Sequence, residues 1–346
     1  MTGSVADKLK ALGALKPASA LQPPAPQPRR SSTLEPVLAG RWLETQHGET
    51  FVVEQVFAAD YLHGAIPIQL SKSLDALAAW AGDERLSQLG LEQLAFLDTE
   101  TSGLAGGTGT YAFLVGIGRF VAGDFYLSQF FMQNPADETA LLEAISDFLA
   151  PCASLVTFNG KTFDAPLLRT RYTLHEMPCP FNGYAHIDLL PLARRLWRDR
   201  LPSRALKYLE EHIMQAPRSL EDVPGFEIPY LYFDYLRTGD ATPLKGVFYH
   251  NAMDLAALAA LLNLTNGLLA DPHGSEIEHG LDIIALAKLF EDLKRWDDAA
   301  LLYERGLKTQ LPEPDFWQAV QRLAVLQKRR GDLATALKLW EHSAAE

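Results

Sequence analysis

The chain has 346 residues, of which 48% are apolar and 21% charged, and its formal net charge is −12. That profile suits an ordinary globular protein with one sizeable core plus a smaller unit, or two domains. The acidic balance disfavours indiscriminate nucleic-acid binding through the overall field, yet allows a local basic track or an acidic centre neutralised by metal. The only cysteines, Cys152 and Cys179, stand in no metal-ligand spacing, which excludes a disulfide framework or a zinc module.

No run approaches the roughly 18 to 20 apolar residues of a membrane span, and no secretory apolar core is evident. The expectation is therefore no membrane and a reducing cytoplasm. Residues 1–36 read as a disordered Ala/Pro-rich tail, because Pro23, Pro24, Pro26 and Pro28 favour extended, solvated backbone. Within it, Val5 to Leu15 is weakly amphipathic, and reads as either a docking peptide or a fraying end.

From Gly40 to Ile68 the pieces are β-like, and Leu74 to Leu89 reads as helical. Leu94 to Asp98, Tyr111 to Val121 and Phe125 to Met132 read as three strands with short connections, an antiparallel meander. The glycine-dense Gly103 to Gly109 joins the first two; without the lysine of a phosphate-binding loop, a hairpin connection is the better reading. Thr139 to Leu149 follows as a helix with Asp137 as its cap. Ser154 to Phe158 is a strand, and Ala165 to Tyr172, Ile187 to Trp197 and Ala205 to Ile213 are helices. Residues 217–246 look irregular, and Tyr249 to Leu269 is a long Leu/Ala-rich helix. Strands first, then strands alternating with helices, predict an α/β fold, a mixed sheet flanked by helices.

Asp271-Pro272-His273-Gly274 marks a boundary, after which the sequence repeats. Lys294 to Glu304 aligns with Gly331 to Glu341, 37 positions later, near the period of about 34 for tetratricopeptide helix pairs. Residues 276–346 thus read as an α-helical unit of tetratricopeptide-like repeats. Two repeats bury too little alone, so they should dock on the preceding domain or recruit a protein partner.

The chemistry starts at Leu94-Ala95-Phe96-Leu97-Asp98-Thr99-Glu100, an apolar strand ending in two carboxylates. Residues i and i+2 on a strand point the same way, so Asp98 and Glu100 repel unless a cation lies between them. Asp164 opens a helix after the strand-turn segment Phe158-Asn159-Gly160-Lys161-Thr162-Phe163. Asp254 lies in the first turn of the long helix, in Tyr249-His250-Asn251-Ala252-Met253-Asp254. Either alone would suit helix capping, but the ordered set of four is rare.

That set resembles the DEDD 3′-5′ exonuclease superfamily of the ribonuclease H-like fold. Asp98 and Glu100 match its first motif, Phe158 to Asp164 its second and His250 to Asp254 its third. More narrowly the chain resembles the YprB-type ribonuclease H-like proteins, on His186-Ile187-Asp188-Leu189-Leu190, Leu220 to Gly225 and His250 to Asp254. The resemblance covers residues 92–268 within a domain of residues 37–270. It implies a nuclease that releases nucleotides from single-stranded DNA or RNA ends. Two divalent ions, Mg2+ or Mn2+, about 3.5 to 4 Å apart would clamp the phosphodiester. Asp98 would bridge them, with Glu100, Asp164 and Asp254 completing the shell.

The third motif departs from the family. The family has Tyr four residues before the Asp, or His five before; here His250 is four before and Tyr249 five before. On a helix, positions four apart lie about 40° apart and positions five apart about 140°, which favours His250 as the residue facing the metals. It would orient or deprotonate water, or else act as a cap or supporting group beside Tyr249 and Asn251. Asp188 reads as the N-cap of the next helix or an alternative ligand. Thr99, Asn159 and Lys161 are candidate substrate contacts. Arg194, Arg195, Arg198, Arg200, Arg204 and Lys207 form a basic stripe, either a nucleic-acid track stacking on Tyr230 or Tyr232, or a solvated face. The rival functions are a non-catalytic scaffold and a structure-specific endonuclease.

Overall fold

A computed structural model of the chain describes residues 34–103, 109–274 and 277–344. A short helix α1 (Leu34–Leu38) precedes the hairpin β1 (Arg41–Thr45) and β2 (Gly48–Phe57). A two-residue pair, β3 (Leu62–His63) and β4 (Ile66–Pro67), and helix α2 (Asp75–Ala81) lead to β5 (Leu94–Thr101), β6 (Ala112–Val121) and β7 (Asp124–Phe131). Next come α3 (Glu138–Leu149), β8 (Ser154–Thr157), α4 (Asp164–Leu174), β9 (Ala185–Asp188) and α5 (Leu189–Trp197). Helices α6 (Leu206–His212), α7 (Ile228–Thr238) and α8 (Leu244–Ala270) close the sheet domain. Four more follow: α9 (Gly280–Asp292), α10 (Trp296–Gly306), α11 (Glu313–Arg329) and α12 (Leu333–Ala344).

The seven-stranded sheet has the order β1-β2-β7-β6-β5-β8-β9. The first five strands pair antiparallel, while β8 and β9 run parallel to β5. The fold is thus the expected mixed sheet with helices on both faces. Leu94 and Phe96 join the core under α5 and the middle of α8, whereas Ala95 and Leu97 join the core under α3 and α4. A central strand buried on both faces reads as a continuous apolar run, which is why Leu94 to Leu97 shows no alternation. Each fully buried Leu or Phe contributes about 1.5–3 kcal/mol, so two such cores hold β5 rigidly beneath its acidic end.

One glycine sets how closely α8 can lie on the sheet. A Cβ at Gly116 would stand 2.1 Å from the Asn251 Oδ1 and 2.5 Å from Leu255. Its absence lets α8 cross β6 in contact with the backbone.

Several readings change. Leu34, inside the anticipated tail, and Leu38, one helical turn on, are buried in α1; residues 1–33, with the Val5–Leu15 segment, lie outside the described residues. Ala185–Asp188 is a strand rather than the start of a helix, and Leu74–Leu89 divides into α2 and a 3-10 turn at Glu84–Gln88. The irregular stretch contains α7, started by Pro229 within its first turn, where a missing N–H costs nothing. Asp137 stands at the start of α3 without a capping bond; the Asn134 side chain accepts from the Ala136 N–H instead. As for membrane spans, α8 is long and apolar enough by length and composition, but 78% of its apolar window is buried inside the fold. It is the core helix, which explains its uninterrupted Leu and Ala.

The C-terminal helices pack on α5 through Leu286, Leu289 and Phe290, continuous with the core that holds Leu196 and Trp197. The 37-residue offset has a backbone counterpart. Lys294 (φ 61°) and Gly331 (φ 88°) hold the same left-handed turn, and Ala299 and Ala336 are both buried at the following helix crossing.

Candidate metal centre

Strand β5 carries Asp98 and Glu100 to one face at its end, toward α8. One ligand atom each from Glu100, His250 and Asp254 lies within 4.8 Å of the others. His250 and Asp254 belong to α8, one turn apart, with His250 Nε2 3.4 Å from Asp254 Oδ2. No side-chain hydrogen bond holds the Glu100 carboxylate among the described residues. Tyr249 points elsewhere, its hydroxyl accepting from the Ser219 N–H at 3.1 Å.

Asp98 is fixed by a row of residues across the sheet. It pairs with Gly116 on β6, which pairs with Gln129 on β7. Asn251 lies over Gly116, accepts from Gln129 Nε2 at 2.9 Å and donates to Asp98 Oδ2 at 2.8 Å. Burial, then the carboxylates of Asp254 and Asp164, push the Asp98 pKa well above the usual range, while the Asn251 amide pulls it back. Burial likewise raises Glu100, with Asp98, Asp254 and Asp164 adding to it. These are anions short of positive charge.

Asp164 arrives from the other side. It opens α4, whose Ala165 and Leu168 belong to the opposite core, and the Thr99 hydroxyl donates to its Oδ1. Burial lifts its pKa to about 6. The Thr99 hydroxyl is thus engaged by Asp164, on the strand face opposite Asp98 and Glu100. Asp188 is the N-cap of α5, accepting from Leu190 N–H, and it also accepts from the Asn159 and Lys161 backbone N–H groups at 2.8 and 3.1 Å. It braces the turn that precedes Asp164, in which Asn159 adopts φ 71°. The Asn159 and Lys161 side chains are exposed at that turn.

The largest feature without a sequence signal is Arg218. Its side chain is 3% exposed, and Nη2 donates to Asp254 Oδ1 and to Glu210 Oε2. Nη1 lies 3.3 Å from His250 Nδ1 and 3.5 Å from Asp222 Oδ1. Burial opposes its charge, but Asp254 and Glu210 outweigh that and raise its pKa. Glu210 is also bonded to buried His63 at 2.9 Å. Asp222 lies 2.8 Å from His250 Nδ1 and accepts from Lys207 at 2.6 Å. Although burial raises Asp222, Lys207, Arg218 and His250 together hold its pKa below the usual value. With Asp222 on the Nδ1 side of the ring, His250 Nε2 faces Asp254.

The basic stripe divides. Arg195 pairs with Asp292 and the Lys288 carbonyl, Arg200 with Asp282, and Lys288 with Asp199, so much of it is the seam to α9. Arg195 thus contributes an ion pair to that seam. Arg198 is exposed beside Asp199. Arg194 and Arg204 edge a cleft of about 380 Å³ with Phe158, Asn159, Leu190 and Leu206. Tyr232 is no stacking platform: it is buried, stacked on Phe113 at 4.0 Å, with its hydroxyl on the Met132 carbonyl. Tyr230 is exposed.

Residues 95–266 match the RNase_H_2 model of the RNase H superfamily. Residues 95–266 are thus similar to an RNase H-superfamily domain, a nuclease-like fold, and they hold a small acidic and histidine cluster. Over 252 residues the chain is 36% identical to "Uncharacterized protein YprB" of Bacillus subtilis (strain 168). That match covers 72% of this chain and 59% of the relative, so the chain spans less than two thirds of the relative's length. Among solved structures it is similar to the family B DNA polymerase of the hyperthermophilic archaeon Pyrobaculum calidifontis, at a TM-score of 0.40 and 14% identity. That likeness covers 57% of this chain and 29% of the polymerase.

Proposed function

We propose that the chain hydrolyses phosphodiester bonds in a divalent-metal-dependent reaction, as a 3′-5′ exonuclease on single-stranded nucleic-acid ends. The observation that carries this reading is the convergence of Glu100, His250 and Asp254 within 4.8 Å, beside Asp98, on an RNase H-superfamily sheet. The donors fit a hard or borderline ion: carboxylate oxygens suit Mg2+ and Mn2+, and the imidazole shifts the preference toward Mn2+. The raised pKa values of Asp98 and Glu100 point to the same need for a cation. Such an ion supplies Lewis-acid polarisation of the phosphoryl group and a lowered pKa for its bound water. A shell of all four carboxylates would draw on Asp98 Oδ1 and Asp164 Oδ2, because Asn251 and Thr99 hold the other oxygens.

Asp222 holds the His250 ring so that Nε2 is available as ligand or base. Arg194 and Arg204 around an apolar floor of Phe158, Leu190 and Leu206 suit a base with its phosphate, next to Asn159 and Lys161. The C-terminal pairs, read as tetratricopeptide-like, would recruit a protein partner through the exposed Leu333, Leu337 and Trp340 of α12. The setting is the cytoplasm.

The test uses end-labelled single-stranded DNA and RNA with Mn2+ or Mg2+. The wild-type chain should give a mononucleotide ladder, and Glu100→Gln should slow it at least about 100-fold. Internal cuts would make it an endonuclease. No product with either metal would leave the scaffold reading in its place.

A further inference from the structure

The charges around Asp254 are arranged for fewer ions than four carboxylates suggest. Three donors form one compact group, Glu100, His250 and Asp254. Of the carboxylates that would serve a second ion, each has one oxygen engaged. Asp254 Oδ1 receives Arg218, Asp98 Oδ2 receives Asn251, and Asp164 Oδ1 receives Thr99 across the sheet. Where a second ion would balance Asp254, the fold has buried a guanidinium. Arginine does not lose its proton in proteins, so this charge is permanent. It is also not free to swing aside, because Glu210 binds Nε at 2.8 Å as well as Nη2, and His63 holds Glu210 from behind. A second dication entering there meets a like charge that the protein cannot neutralise.

We infer that the centre binds one divalent ion, at Glu100, His250 Nε2 and Asp254 Oδ2, and that Arg218 occupies the electrostatic place of a second. The inference rests on the metal-dependent reading and fixes its stoichiometry. Arg218 is a positioning residue: it fixes one oxygen of Asp254, leaves the other for the ion, and lies beside the His250 ring. Glu210 and Asp222 keep it in place, which accounts for two buried acids that touch no substrate cleft.

The experiment counts Mn2+ bound to the full chain by equilibrium dialysis, with the electron paramagnetic resonance of the bound ion as a second readout. The wild-type chain should bind one Mn2+ with an isolated-ion spectrum, and Glu100→Gln should weaken that binding at least tenfold. Arg218→Lys, which keeps the charge, should also bind one. The double variant Arg218→Gln/Glu210→Gln removes the guanidinium together with Glu210, frees Asp254 Oδ1, and should bind two, with a spin-coupled signal. Two ions in the wild-type chain would overturn the one-ion centre while leaving the metal-dependent reading standing. One ion in the double variant would overturn the assignment to Arg218. No ion in the wild-type chain would overturn both.

Discussion

On the α8 face of β5, Asp98 and Glu100 meet side chains from several distant segments, whereas on the α4 face Asp164 meets the strand itself, through Thr99. The first arrangement leaves ligand atoms pointing at one another and supplies a buried arginine to keep them together. The second bonds one oxygen of its carboxylate locally, although its charge still reaches Asp98 and Glu100. Four acids in the order of a nuclease motif set therefore do not make four equivalent ligands. The face of the strand decides which of them meet.

That contrast breaks most sharply at Gly116. A methyl group there collides with Asn251 and Leu255, so Gly116→Ala should cost about 3 kcal/mol in denaturant unfolding. Because α8 must lift, the variant should also lose Mn2+ binding out of proportion to its stability. Unchanged metal affinity would show that α8 does not need its close seat on β6.

The opposite face is read by pH. With a folded pKa of about 6 against an ordinary 3.8, the Asp164 carboxyl favours the folded state when protonated. Its contribution is present below about pH 4 and is lost as pH rises through 6. In chelator, wild-type stability should fall by about 2 kcal/mol between pH 4 and pH 7.5 relative to Asp164→Asn, whose amide oxygen still accepts from Thr99. Parallel pH profiles would mean that Asp164 is not held in a low-dielectric setting.

The smallest effects separate two neighbouring arginines. Arg195→Ala should leave binding of a fluorescent single strand unchanged and lower stability by at most about 1 kcal/mol, as for an exposed ion pair at a seam. Arg194→Ala should weaken strand binding a few-fold and leave stability alone. Equal effects on binding would return Arg195 to the nucleic-acid track.

Much of this was legible in the chain. The apolar run into Asp98, the strands Tyr111 to Val121 and Phe125 to Met132, and the 37-residue offset all have counterparts in the fold. The strand β9 was not, because four residues, Ala185–Asp188, feed directly into an apolar helix and show no period of their own. Helix α7 was hidden by its proline, which is a breaker inside a helix and a starter at its first turn. Arg218 and Gln129 had no local signal at all. Their roles arise from contacts to Asp254 and Asn251 that no spacing rule reaches, although Asp222 lay within a stretch that already marked the family resemblance. Asp164 was read correctly as a helix opener, but nothing in its neighbourhood tells which side of β5 its helix will take.

The bonds around Arg218 also differ in how much chain they enclose. Arg218 to Asp254 closes 36 positions and His250 to Asp222 closes 28, whereas Asn251 to Asp98 closes 153. Loop-closure entropy alone sets the long contact back by about 1.3 kcal/mol relative to the shorter Arg218 loop. Closure entropy alone therefore favours the Arg218–Asp254 contact over the Asn251–Asp98 contact. In the folded chain the guanidinium is a permanent counter-ion beside Asp254, and its charge eases the crowding of Asp98 and Glu100.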